Sequence, residues 1–233
     1  MSDVSLGPSA LLPPQRTWRV AAIDDHPVVV AGIVSVLERA GEPIEWLGAA
    51  TTWAELQALL KTWPHPPDLV FVDLYFGDGS TPEEVIGTLT EQGIRALVVT
   101  SERRPVPIRK AMAAGAVGLV LKSDPPERIA DVLTQLRDGQ FAVSSDLAYV
   151  IVTDDELVTH LTEREVEILQ LLSQGYTRAM VAASLDPPAK PSTVNTHINR
   201  CAARYRERGV PVSSTVDLLR AAGAEGYLGG DPH

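Results

Sequence analysis

Cysteine occurs once in 233 residues, at Cys201, which excludes an internal disulfide framework and fits a reducing cytoplasm. The five histidines follow none of the spacings used by metal-binding pairs, so no histidine-built metal centre is expected. Long apolar runs are missing too. The longest, Ala111 to Leu121, is too short and too rich in glycine and alanine to cross a bilayer. Met1 to Pro14 has neither the basic start nor the apolar stretch of a signal peptide, so no export and no membrane partner are expected. Positive charge is in deficit: the formal net charge is −10, which by itself argues against nucleic acid. No internal repeat is evident, and only residues 1–16, rich in Pro and Ser, read as a disordered extension.

What is present divides the chain in two. From residue 17 to 139, short apolar runs alternate with segments of helical period: Trp18–Ile23, Ile44–Ala50, Leu69–Val72, Ala96–Val99 and Val117–Leu121 read as strands. Continuous, β-branched runs are typical of parallel strands buried on both faces. Helices are expected over Pro27–Ala40, Thr51–Trp63, Pro82–Gln92, Pro107–Ala114 and Pro126–Asp138, several opened by Pro and closed by Gly. Five β-α repeats predict a parallel sheet covered on both sides. Residues 140–159 show weak periodicity and read as a linker. Residues 160–228 hold four helix candidates and no strand signal, an all-α unit.

Five polar residues close four of the strands: Asp24 and Asp25, Asp73, Thr100 and Lys122. Parallel neighbours share one carboxyl-terminal rim, where open α/β sheets bind ligands, so these side chains are expected to meet. Mg²⁺ takes hard oxygen ligands; Asp25 and Asp73 can hold it directly, Asp24 through water, and the Tyr75 carbonyl can add another oxygen. A carboxylate can attack a phosphoryl donor and form an acyl phosphate, with Lys122 and the cation neutralising the transferring group and Thr100 bonding its oxygens. Each residue alone has a plainer reading, as a turn, a cap or a solvated charge. Their joint placement on one rim favours the chemical one.

In the second unit, Thr162 and Glu165 have capping-box spacing, Val166, Leu169 and Leu172 form an apolar stripe, and Gly175 stops the helix. Thr177 opens a second helix with Val181, Ala182 and Leu185 inward. After the Pro-rich turn 186–190, Pro191 opens a third, with Val194, Ile198 and Cys201 on one side and Asn195, Asn199, Arg200 and Arg204 on others. Here the acidic average reverses: between Arg178 and Arg208 there are six basic residues against Asp186 and Glu207. Helix, tight turn and basic helix is the layout of a helix-turn-helix DNA reader; a generic helical bundle is the alternative. Cys201 is most simply a small buried hydrophobe.

Residues 18–139 resemble the receiver domain of two-component response regulators: Ile-Asp-Asp-His-Pro at 23–27, Val-Asp-Leu at 72–74, Thr100 and Lys122 fill its five functional positions. The resemblance implies a flavodoxin-like (β/α)5 fold of strand order 2-1-3-4-5 and Mg²⁺-dependent phosphorylation of Asp73 by a sensor histidine kinase. Residues 161–228 resemble the DNA-binding domain of the LuxR/NarL class through Leu-Thr-Glu-Arg-Glu-Val-Glu-Ile-Leu at 161–169, Gly175 and Thr-Val-Asn-Thr-His-Ile at 193–198. That likeness implies a helix in the major groove, with Lys190, Ser192, Thr193, Asn195, Thr196, Asn199, Arg200 and Arg204 as DNA contacts. It also implies a last helix near Ser213–Ala222 that supports a homodimer in the active state.

Two departures stand out: Leu119 replaces an aromatic residue common on the last strand, and Gly77 a proline common after the phosphorylated Asp, which predicts a looser loop. The reading is therefore a phosphorylated, DNA-binding transcription regulator and not an enzyme. A regulator of the same architecture that works without phosphorylation is the alternative. An adaptor without DNA contact, and a phosphatase of the haloacid dehalogenase type, are further ones; the phosphatase needs a second Asp where this chain has Tyr75.

Overall fold

A computed structural model describes residues 17–229 apart from Gly77. The extension 1–16 and the expectation of a looser loop at Gly77 lie outside the described residues. Strands β1 (Trp18–Ile23), β2 (Ile44–Ala50), β3 (Leu69–Val72), β4 (Arg95–Thr100) and β5 (Gly118–Leu121) are all parallel, in the order 2-1-3-4-5. Helices α1 (Pro27–Ala40), α2 (Trp53–Thr62), α3 (Pro82–Glu91), α4 (Pro105–Ala113) and α5 (Arg128–Arg137) connect and cover them.

Alternation along the strands explains why the sheet is buried on both faces. Ala21, Ile23, Val70, Val72, Val98, Leu119 and Leu121 point into one core, closed by Leu56, Val85, Ile86, Leu89 and Ile108. Val20, Ala22, Leu69, Phe71, Leu97, Val99 and Val120 point into the other, closed by Val36, Leu37, Ile129, Val132, Leu133 and Leu136. Successive side chains of a strand face opposite ways, so an uninterrupted apolar run serves two cores at once. Because the strands are parallel, every carboxyl end lies on the same rim.

The sheet has six strands, not five. The stretch read as a linker folds: β6 (Ala142–Val143) pairs parallel to β5, α6 (Asp146–Thr153) follows, and a 3-10 turn spans Asp155–Leu157. Pairing there needs Gly118, because a Cβ on it would lie 2.3 Å from the Ala142 carbonyl oxygen. Ser145 caps α6 by accepting from Ala148 N at 3.3 Å. Arg109 of α4 fastens its end, donating from Nε to the Ile151 carbonyl at 2.9 Å, from Nη1 to Asp155 at 3.0 Å and from Nη2 to the Asp154 carbonyl. Ala148 and Ile151 then join the first core.

The all-α unit comprises α7 (Glu163–Ser173), α8 (Arg178–Ser184), α9 (Pro191–Glu207) and α10 (Thr215–Glu225). The Thr162–Glu165 capping box forms as expected, with Glu165 N donating to Thr162 Oγ1 at 3.3 Å. Its separate core gathers Ile168, Leu169, Val181, Ala182, Leu185, Val194, Ile198, Cys201, Tyr205 and Leu218. Among the described residues, no helix is long and apolar enough to cross a membrane.

Candidate functional site

The rim brings Asp24, Asp25, Asp73, Thr100 and Lys122 together. Asp73 directly follows β3, is 4% exposed, and accepts Leu74 N at Oδ1, 2.7 Å away. Its Oδ2 lies 2.6 Å from Lys122 Nζ, which also stands 2.8 Å from Asp24 Oδ2. The ammonium thus joins the two buried carboxylates. Burial pushes the Asp73 carboxyl above its ordinary range, with the Asp24 charge adding to that and Lys122 opposing it. Burial disfavours the Lys122 charge, but the hydrogen bonds and charges of Asp24 and Asp73 outweigh it and hold the ammonium above its usual value. Thr100 is fully buried and its hydroxyl accepts Glu102 N at 3.1 Å.

Ligand atoms of Asp24, Asp25, His26 and Asp73 all lie within 4.8 Å of one another. Three carboxylates with hard oxygens, two buried and one at the mouth, fit a small divalent cation such as Mg²⁺. His26 had drawn no expectation of its own. Its Nδ1 sits 2.6 Å from Asp25 Oδ1 and 3.4 Å from Asp24 Oδ1, and its backbone N–H donates to Asp24 Oδ1 at 2.9 Å. The signal was its place directly after the Asp pair.

The Tyr75 side chain turns away from this cluster. Its hydroxyl donates to Glu102 Oε2 and accepts from Arg104 Nη2 at 2.6 Å. Glu102, 1% exposed, also accepts Arg103 N at 2.8 Å and Arg104 N at 2.7 Å, and is forked by the Arg104 guanidinium at 2.6–3.0 Å. Burial works against the Glu102 charge, yet the Arg104 and Tyr75 hydrogen bonds hold its carboxyl below the usual range. Burial and the Glu102 carboxylate push the Tyr75 phenol well up. No motif signalled this trio, whose members sit two and four residues past the rim positions.

In the second unit, Lys190, Ser192, Thr193, Asn195, Thr196, Asn199 and Arg200 are all exposed on and just before the first turns of α9. Thr196 spends its hydroxyl on the Ser192 carbonyl at 3.0 Å. Arg204 is engaged within the unit: its Nη1 donates to Glu165 Oε2 at 2.5 Å and to the His160 carbonyl at 3.2 Å, tying α9 to α7. The four-residue step from Arg200 carries it toward the helix's inner edge. Arg208 is likewise engaged by Glu225 at 3.1 Å. The Pro-rich turn is held by Arg164, whose Nη2 donates to the Asp186 carbonyl at 2.7 Å, and by Ala189 N donating to the Ala182 carbonyl at 2.8 Å. Cys201 is buried and its thiol is pushed up to about 12 by that burial.

An acid, hydroxyl and ammonium rim on a parallel sheet is thus followed by a helix-turn-helix bundle. Residues 159–205 match the family model of bacterial regulatory proteins of the luxR family. The chain is 29% identical over 188 residues to the response regulator protein VraR of Staphylococcus aureus, covering 78% of this chain and 88% of that one. It is 29% identical over 194 residues to the nitrate/nitrite response regulator protein NarL of Escherichia coli, covering 79% and 87%. Among solved structures, RcsB from Salmonella enterica serovar Typhimurium, bound to a promoter in the presence of phosphomimetic BeF3−, shares the fold. Its TM-score is 0.64 at 20% identity, covering 90% of this chain and 99% of that one.

Proposed function

We propose that this chain is a response regulator that accepts a phosphoryl group on Asp73 from a sensor histidine kinase and controls transcription by binding DNA. The observation that carries the reading is the Lys122 ammonium lodged between the Asp73 and Asp24 carboxylates, 2.6 and 2.8 Å away. In the transfer, an Asp73 oxygen bonds phosphorus as the phosphorus–nitrogen bond of a phosphohistidine donor breaks. Lys122 then turns to the new phosphoryl oxygens, and Thr100 donates its hydroxyl to one of them. Asp24, Asp25 and Asp73 would hold the Mg²⁺, which supplies charge neutralisation for the incoming group. Asp73 is an acceptor of signal rather than a turnover catalyst.

The relatives support the output as well as the input. VraR and NarL are named response regulators, and solved structures describe RcsB dimers on DNA. By the same logic, the active state here is a homodimer reading two half-sites through the exposed face of α9. The deciding experiment is incubation with Mg²⁺ and acetyl phosphate, followed by intact mass measurement. Wild type gains one phosphoryl group and Asp73→Asn gains none; equal labelling of both would put the acceptor elsewhere.

A further inference from the structure

A cavity of about 520 Å³ lies between the two units. Leu147 and Ile151 of α6 and Leu157 of the 3-10 turn form one wall; Val210, Ala221 and Ala224, after α9 and on α10, form the other. The units touch beside it: a Cβ added to Gly226, at the end of α10, would lie 2.5 Å from Pro107 Cδ of α4. Small-molecule sites occupy roughly 300–1,000 Å³ and have mostly apolar walls with a few placed polar groups. This cavity has the size and the walls. Leu147 and Leu157 are large apolar side chains left exposed there, surface that an occupant would remove from water.

Two charged side chains line the cavity, and their circumstances differ. Glu225 accepts Thr159 N and Thr159 Oγ1, each at 2.9 Å, the Tyr205 hydroxyl at 3.0 Å and Arg208 Nη1 at 3.1 Å. Its oxygens are thus already engaged. Arg103 is exposed; its Nη2 donates to the Ser123 hydroxyl at 3.3 Å, and it makes no ion pair among the described residues. A cation at the edge of an apolar cavity, with no carboxylate of the chain's own against it, complements an anionic head on an apolar body. A second apolar cavity lies between α1 and α5, lined by Val29, Gly32, Ile33 and Ile129, with Lys122 as its cation. Lys122 is already shared by Asp24 and Asp73, and Asp124 adds a further carboxylate, so an anion is disfavoured there.

We propose that the cleft between the units binds a small amphipathic anion, with its apolar body between α6 and α10 and its acid group on Arg103. The occupant touches both units, so it binds best when they are together and holds that arrangement. No residue of the acidic rim lines the cavity, so this input is separate from phosphoryl transfer at Asp73 and does not rest on it.

Two fluorescent probes with the same apolar body separate the charge from the cavity: anilinonaphthalene sulfonate, and phenylnaphthylamine, which lacks the sulfonate. Titrated into the full chain, the sulfonate should bind saturably, one per chain, and more tightly than the amine. Arg103→Gln should weaken the sulfonate by about three- to fivefold, the size of an exposed ion pair, and leave the amine unchanged. Ala224→Trp fills the cleft and should weaken both by about tenfold or more. Leu147→Glu, on the opposite wall and exposed, keeps the test decisive should Ala224→Trp fold poorly; its carboxylate should weaken the sulfonate more than the amine. Gly32→Leu fills the cavity between α1 and α5 and should change neither. Absence of saturable binding to wild type would overturn the proposal. So would an Arg103→Gln that treats the two probes alike, unchanged binding in Ala224→Trp and Leu147→Glu, or binding lost in Gly32→Leu.

Discussion

Arg200 and Arg204 lie four positions apart on α9; Arg204 meets a carboxylate of the same unit, and Arg200 projects from the exposed face. Phosphate contacts release counterions, each lowering the slope of log affinity against log salt by about 0.9. Replacing both Lys190 and Arg200 by Ala should therefore flatten that slope by roughly two, read in a salt-titrated shift assay. Arg204→Ala should leave the slope unchanged and lower the melting temperature of the helical unit, because it strands the buried Glu165 carboxylate. Lys122→Ala removes the only cation within reach of both buried carboxylates among the described residues. Asp24 and Asp73 then repel without relief, and divalent cation should raise the melting temperature of this variant more than that of wild type.

At the scale of elements, β1 and β3 to β5 were legible because an apolar run of four residues or so fills most of each, and their common rim followed from parallel pairing alone. The rim quintet was legible for the same reason. β6 was not: two residues carry no period, and its pairing depends on what Gly118 lacks. Nor was α6, whose run Leu147–Val152 is rich in β-branched residues and reads as strand as easily as helix. It is helical because Ser145 caps it and Arg109, far back in the chain, grips its end. The Tyr75–Glu102–Arg104 trio was hidden because its members come from two loops that only the sheet order brings together.

Two tests belong to elements. Gly118→Ala should displace β6 and cost about 1–3 kcal/mol in denaturant unfolding. It should also speed hydrogen exchange at Ser144 N, which donates to the Leu119 carbonyl at 3.0 Å. The start of α10 is held by Asp217, whose carboxyl is lowered from 3.8 to about 2 by the Ser213 and Ser214 hydroxyls and N–H groups. A carboxyl lowered in the folded state stabilises above its unfolded value and loses that contribution as pH falls through the folded one. Asp217→Ala should thus melt below wild type at pH 6, and the gap should close between about pH 4 and pH 2.

For the whole molecule, the arrangement of the units decides which surfaces are left open to DNA. A cleft between the units takes in Tyr205, Val210 and Ala224, whereas Lys190, Ser192, Thr193, Asn195, Thr196, Asn199 and Arg200 are exposed. The full chain, unphosphorylated, and a fragment of residues 158–229 should bind non-specific DNA with the same salt slope. A smaller slope for the full chain would show that α9 is masked after all.

The two-residue strand β6 has a last consequence, for solubility rather than signalling. Without it, Gly118–Leu121 would present a fully apolar ladder of unpaired N–H and C=O groups at the border of the sheet. Such a border templates the addition of strands from other molecules. The chain covers it with the shortest partner that still bonds, then turns away through Ser144, Ser145 and Asp146. What is left outermost is too brief and too polar to recruit a neighbour.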